Sequence, residues 1–122
     1  MNYVIHALRN PFTYTGRASR AEFWLSVLFS ALVVAGLVLI GLVSSLISAT
    51  LLAVFLGLAG LAGLASVPIL VAVSVRRVHD FGQGGWLVVL MLIVPLVFVI
   101  CGIVDGQWLT NRYGPRPPAL DF

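Results

Sequence analysis

Two long apolar runs and one charged island set the plan of the chain. Residues 23–75 contain no Asp, Glu, Lys or Arg, and residues 81–104 contain none either. A helix that crosses a bilayer needs about 20 predominantly apolar residues. The first run is therefore long enough for two crossings and too short for three. As one unbroken helix it would extend about 80 Å, far beyond a bilayer. A turn is required, and the cluster of Ser44, Ser45, Ser48 and Thr50 marks it within 41–50. This pattern predicts membrane helices over about 20–44 and 49–80. The run over 86–104 would be about 28 Å long as a helix, just enough for a third crossing. Pro68 and Pro95 each predict a kink, because proline removes a backbone donor and crowds the preceding turn.

Polar residues delimit these elements. Ser19 followed by Glu22, directly before the first apolar run, has the capping-box spacing. The Ser19 hydroxyl accepts from the Glu22 N–H, and the Glu22 carboxylate reaches back to the Ser19 N–H. First-turn N–H groups have no partner in their own helix, and leaving them bare near hydrocarbon is costly. Phe23 and Trp24 suit the interfacial aromatic belt. Upstream, Val4, Ile5 and Leu8 share a helical face before Pro11 stops the segment. This predicts an interfacial amphipathic helix over about 2–10, too short to span. Gly82 suits a left-handed helix cap, and Gly84-Gly85 a tight turn into Trp86. The segment 105–122 reads as an irregular interfacial tail. Ala49, Ala53 and Gly57 recur at every fourth position, which lets helices approach closely in lipid. Packing within the chain and a homodimer face are both compatible with that stripe.

Composition agrees with a bilayer environment. Of 122 residues, 61% are hydrophobic and 9% charged, whereas soluble domains have about 25% charged residues. The length suits a single integral membrane domain over 1–122. The expected fold is an all-α membrane protein with three transmembrane helices preceded by the short interfacial helix. All seven basic residues are arginine, and the net charge is +3. They read as anchors facing anionic headgroups, not as a nucleic-acid surface, because a spanning chain leaves no room for a basic face. The single cysteine, Cys101, excludes an intrachain disulfide. The polar N-terminal region and the length of the following apolar run do not fit a secretory signal. If helices one and two form a hairpin, Arg9, Arg17, Arg20, Arg76 and Arg77 lie on one side. A third crossing would put Arg112 and Arg116 on the other. That imbalance favours a cytoplasmic N-terminus and a cytoplasmic 76–86 turn.

The chemistry available is concentrated in Arg76, Arg77, His79 and Asp80, with Arg17, Arg20 and Glu22 at the same depth if the hairpin forms. Arg76 and Asp80 are spaced i,i+4 on a helix that reaches Asp80. A Glu22–Arg76 or Arg20–Asp80 pair across the helices is expected. These seven residues form the candidate binding set, for a lipid phosphate or another anionic group. The same residues can equally be architectural, holding the helix ends together. His6 and His79 have no nucleophile beside them. No metal-ligand spacing and no phosphate-cradling glycine loop is present, so no catalytic, metal or cofactor site is expected. The leading expectation is a non-enzymatic component that binds membrane lipid or a membrane protein partner. The alternative is a homo-oligomeric channel or transporter subunit.

Three segments carry a resemblance. Gly16-Arg17-Ala18-Ser19-Arg20-Ala21-Glu22-Phe23-Trp24, Arg76-Arg77-Val78-His79-Asp80 and Asn111-Arg112-Tyr113-Gly114-Pro115 resemble, in order and spacing, the signature motifs of the bacterial domain-of-unknown-function 805 family. The resemblance implies a small bacterial inner-membrane protein of about three helices, and it brings no catalytic residues. This chain departs from the family pattern at Gln83, Gly84, Leu87 and Arg116.

Overall fold

The computed structural model of the chain describes Arg9 and residues 13–117. The interfacial helix expected over about 2–10 lies outside these residues apart from Arg9. Four helices follow: α1 (Arg20–Ser44), α2 (Ala49–Asp80), α3 (Leu87–Ile93) and α4 (Pro95–Ile103). The described residues contain no strand beyond an isolated bridge between Asn111 and Gly114. Contacts gather the chain into two compact units, one of Met1–Ser26 with Pro68–Phe122, the other Val27–Val67.

The Val27–Val67 unit holds the end of α1, the turn and the start of α2. The Ser45 N–H donates to Gly41 O at 3.0 Å, and the Ser48 N–H to Ser44 O at 3.1 Å. The Ser45 hydroxyl takes Leu42 O at 2.6 Å, and Ser48 Oγ accepts the Thr50 N–H at 3.2 Å. The serine cluster thus satisfies the helix ends at the turn, as its composition suggests. Gly41 is required there, because a Cβ at that position would sit 2.9 Å from the Phe55 Cβ. Elsewhere the unit turns large apolar side chains outward, among them Leu32, Leu39, Leu46, Ile47, Leu61 and Leu64. Soluble monomers rarely expose so continuous an apolar surface. Both α1 and α2 are long and apolar enough to cross a membrane, and most of that stretch is unburied.

The other unit brings the start of α1 and the end of α2 together with α3 and α4. Phe23, Val73 and Val78 are fully buried in it. The Phe23 ring lies 4.9 Å from Phe98 and 5.3 Å from Trp24 between centroids. Here the structure corrects the sequence reading of a single third helix. Residues 86–104 do not form one kinked helix. They form two helices separated at Val94, whose φ of −116° and ψ of 97° are extended. A residue before proline is driven out of the helical region by the proline ring, and Pro95 becomes the first residue of α4. At that position its missing N–H leaves no orphan donor. Pro68, by contrast, lies within α2 without ending it.

Both ends of the 86–104 run return to the same end of α2. At its start, a Cβ on Gly85 would be 3.6 Å from Val75. At its end, Cys101 O accepts from Arg77 Nε at 2.8 Å, and Gln107 N donates to Asp80 O at 2.8 Å. The run is a broken helical hairpin. The expectation that the tail lies on the opposite side from the 76–80 island is therefore overturned, because residues 105–114 pack on that island.

Candidate functional site

The site is built on the C-terminal turn of α2. A helix end leaves its last carbonyls without partners, and here neighbouring segments supply them. Arg76 O accepts from the Ala18 N–H at 3.0 Å, and Asp80 O from the Gln107 N–H at 2.8 Å. His79 O accepts from the Gly82 N–H at 2.9 Å and from Asn111 Nδ2 at 2.9 Å. Gly82 takes the left-handed conformation, with φ of 73°, that ends the helix. Arg77 in this last turn also complements the negative end of the helix dipole.

Side chains then close a charge cluster. Asp80 is held from both sides: Arg17 Nε donates to Oδ1 at 2.8 Å, and Arg77 Nη1 to Oδ2 at 2.6 Å. The remaining Arg77 donors reach Cys101 O, Ala18 O and Val104 O. Only 1% of the Arg77 surface is exposed, so its guanidinium depends on these partners in place of water. Arg17 also donates to Leu109 O at 2.9 Å, Gly114 O at 3.3 Å and Gln107 O. Arg76 pairs with Glu22. At the start of α1, Ser19 Oγ accepts the Glu22 N–H at 3.1 Å, which is the serine half of the capping box that the Ser19–Glu22 spacing predicts.

All seven residues singled out from the sequence lie in this one unit, but they divide into two kinds. Arg17, Glu22, Arg76, Arg77, His79 and Asp80 are buried. Arg20 is half-exposed and pairs with the equally exposed Asp105 at 3.1 Å. The Glu22–Arg76 pair forms as expected. The Arg20–Asp80 pair does not, because Arg17 takes that carboxylate and Arg20 turns to Asp105 and Ile103 O. The His79 ring stacks on Tyr113 with centroids 3.8 Å apart and planes 2° from parallel. Its Nδ1 lies 3.1 Å from Gly16 O. A carbonyl only accepts, so that nitrogen carries the proton.

Several participants were not singled out from the sequence. Gln107 and Asn111 bind the end of α2 through their backbone or side-chain amides. Trp24 Nε1 donates to Gly102 O at 2.9 Å, a role beyond the interfacial aromatic belt. Gly106 lies so close to the Asp80 carboxylate that any Cβ there would overlap it. The Asn111-to-Gly114 spacing is a turn signal that could have been found. It closes a tight turn in which Asn111 Oδ1 accepts the Tyr113 N–H at 2.9 Å.

Beside the cluster is an open pocket of about 430 Å³, lined by Ser19, Arg20, Ala21, Trp24, Arg77, Asp80, Gly102, Ile103, Asp105, Gly106, Arg116 and Pro117. Arg116 at its rim lies 3.7 Å over the Trp108 ring. Among the described residues, no group of three or more His, Cys, Asp or Glu gathers as a metal site would require.

These features define a class: an all-helical protein with two crossing-length apolar helices and an arginine–carboxylate cluster closed by its C-terminal segment. The chain belongs to the family described as protein of unknown function (DUF805), whose model matches residues 11–115. It is 31% identical over 122 residues to the inner membrane protein YhaI of Escherichia coli strain K12, with 96% of each chain covered. The YhaI protein of Escherichia coli O157:H7 matches with the same identity of 31% and the same coverage. No solved structure matches the chain.

Proposed function

We propose that the chain is a multi-pass inner-membrane protein without catalytic activity of its own, which binds an anionic lipid headgroup or a membrane protein partner at its arginine-rich end. The observation that carries this reading is the segregation of charge. Every Asp, Glu and Arg between residues 13 and 117 lies in the unit that contains the pocket, and the Val27–Val67 unit has none. The apolar, outward-turned surface of α1 and α2 supports two crossings, and YhaI is named as an inner membrane protein. The broken hairpin of α3 and α4 supports a re-entrant segment in place of a third crossing. Irregular backbone is tolerated at membrane depth where protein buries it. With the tail back on the island, Arg112 and Arg116 join Arg17, Arg20, Arg76 and Arg77 on one side. That strengthens the arginine bias toward a cytoplasmic N-terminus and a cytoplasmic 76–86 turn. A non-catalytic role fits the engagement of Asp80 by two arginines and of His79 Nδ1 by Gly16 O, which leaves the two side chains unpaired with each other as acid and base.

Reporter fusions test the layout. Fusions at the N-terminus, at Gly84 and after Phe122 are expected to report the cytoplasm, and one in the 45–48 turn the opposite face. A C-terminal reporter on the opposite face would restore a third crossing and overturn the two-crossing reading. Release of the chain from membranes by alkaline carbonate would overturn the integral assignment altogether.

A homo-oligomeric channel or transporter subunit is the second reading. It is favoured by one observation: a Cβ added at Gly57, Gly60 or Gly63 would meet nothing within 4 Å. The small-residue face of α2 is thus open there to another copy. Gly57→Leu is expected to abolish a detergent-resistant oligomer if this reading holds. A strictly monomeric wild type would end it.

A further inference from the structure

The pocket beside the cluster is not accounted for by the pairs that hold the fold together, and its chemistry is specific. Its lining carries three arginines, Arg20, Arg77 and Arg116, against two carboxylates, Asp80 and Asp105. Asp80 is also held by Arg17, so the surroundings are cationic beyond what the internal pairs neutralise. Arg116 has an aromatic partner, Trp108, whose ring leaves its charge intact. Arg77 is fixed in the wall by four hydrogen bonds, whereas Arg20 is held by an ion pair exposed to about one half on each side, 51% and 49%. Exposed pairs of this kind hold by only about 0–1 kcal/mol, so Arg20 is able to exchange Asp105 for a stronger anion. Ser19, Arg20 and Ala21 line the same pocket. The N–H groups of Arg20 and Ala21 belong to the first turn of α1, where a helix has no acceptor for them.

The pocket also has an apolar side. Trp24 and Ile103 line it. From Ile103, exposed Ile100 and Leu96 continue along one face of α4 at helical spacing. An anion site that runs directly into an exposed apolar stripe suits an amphiphile better than a free ion. A volume of about 430 Å³ lies within the range of small-ligand sites.

We infer that this pocket binds the phosphodiester headgroup of an anionic phospholipid, with Arg20 and Arg116 on the phosphate and an acyl chain along Ile103, Ile100 and Leu96. The inference rests on the membrane reading above and names the ligand class of the same polar end. Arg20 leaves Asp105 when the phosphate enters, so Asp105 competes with the lipid for that guanidinium.

The test uses the purified full-length chain in a neutral detergent. It is titrated with dihexanoyl phosphatidylglycerol, dihexanoyl phosphatidylcholine and inorganic phosphate, and tryptophan fluorescence reports binding through Trp24 and Trp108. Saturable binding of phosphatidylglycerol is expected, about tenfold or more tighter than phosphatidylcholine, which carries the same phosphodiester but adds a choline cation that the arginines repel. The Arg20→Gln/Arg116→Gln double variant should lose that preference. Arg112→Gln, outside the pocket lining, should keep it. Asp105→Asn should tighten phosphatidylglycerol binding, an effect opposite to any loss of folding. Equal binding of the two lipids, an unchanged double variant, an Arg112→Gln loss as large as the double variant's, or weaker binding in Asp105→Asn would overturn the inference. Saturation by inorganic phosphate at the same concentrations as phosphatidylglycerol would overturn the lipid assignment in favour of free phosphate. These failures would leave the membrane layout standing, because that layout fails only through the carbonate and reporter experiments.

Discussion

Asp80→Ala is expected to destabilise the chain by about 3–5 kcal/mol, the usual cost of removing one partner from a buried ion cluster. Among the described residues, the aspartate is the only carboxylate on two guanidiniums, Arg17 and Arg77, both almost free of solvent. Without it, two positive charges remain buried against backbone carbonyls and, for Arg77, the Phe81 ring. Those carbonyls satisfy hydrogen bonds but carry no net charge, so the desolvation of both arginines is no longer offset. Asp80→Asn keeps the shape and should cost nearly as much. Asp105→Ala provides the contrast. Its partner Arg20 is half-exposed, and the loss should stay within about 1 kcal/mol. Denaturation in mixed micelles, followed by helical circular dichroism, measures both. Equal costs for Asp80→Ala and Asp105→Ala would mean that the buried cluster does not hold this end of the protein together.

That contrast also marks what the sequence makes legible. The Ser19–Glu22 spacing, the serine cluster and the Gly82 cap are local signals, and they delimit α1, the turn and the end of α2. The Glu22–Arg76 pair follows from a hairpin that brings two charged helix ends to one depth. The partners of Arg17 and Arg20 were not legible in the same way. Both arginines lie near the start of α1, and geometry alone decides which of them reaches Asp80. Most acceptors for Arg17 and Arg77 are backbone carbonyls at Ala18, Cys101, Val104, Gln107, Leu109 and Gly114. Every residue has a carbonyl, so its use leaves no mark in the amino-acid type.

The return of residues 86–104 was hidden for a related reason. An apolar run of crossing length has the same composition whether it spans or folds back. Pro95 is compatible with a kink as well as with a break. What decides is the demand at the other end. The buried guanidinium of Arg77 needs Cys101 O and Val104 O, and Asp80 O needs the Gln107 N–H. A crossing helix would carry all three to the opposite face and leave buried polar groups without partners, each costing about 1–3 kcal/mol. The island is therefore the base on which the C-terminal third of the chain closes.

Gly106→Ala should be almost as damaging as Asp80→Ala, although it adds a single methyl group. A Cβ at Gly106 would overlap the Asp80 carboxylate and lie 2.8 Å from Asp80 O. A flexible side chain would normally move aside. This carboxylate is held by Arg17 and Arg77 on opposite oxygens, and its backbone carbonyl accepts from Gln107. The methyl group must therefore displace the 105–107 backbone or break the ion cluster. The first is an overpacking cost of about 1–3 kcal/mol, and the second approaches the cost of losing Asp80. Coupling separates this mechanism from a general intolerance of the tail. With alanine at position 80 the carboxylate is gone, so adding Gly106→Ala should cost less than it does in the wild type. An interaction energy of about 0.5–3 kcal/mol is expected for residues in direct contact. Gly63→Ala is the control: its Cβ would meet open space inside α2, and alanine there should be neutral or stabilising by up to about 1 kcal/mol. Strict additivity of Gly106→Ala and Asp80→Ala would show that the tail and the cluster are not in contact, and the closure of the C-terminal segment over the island would then have to be abandoned.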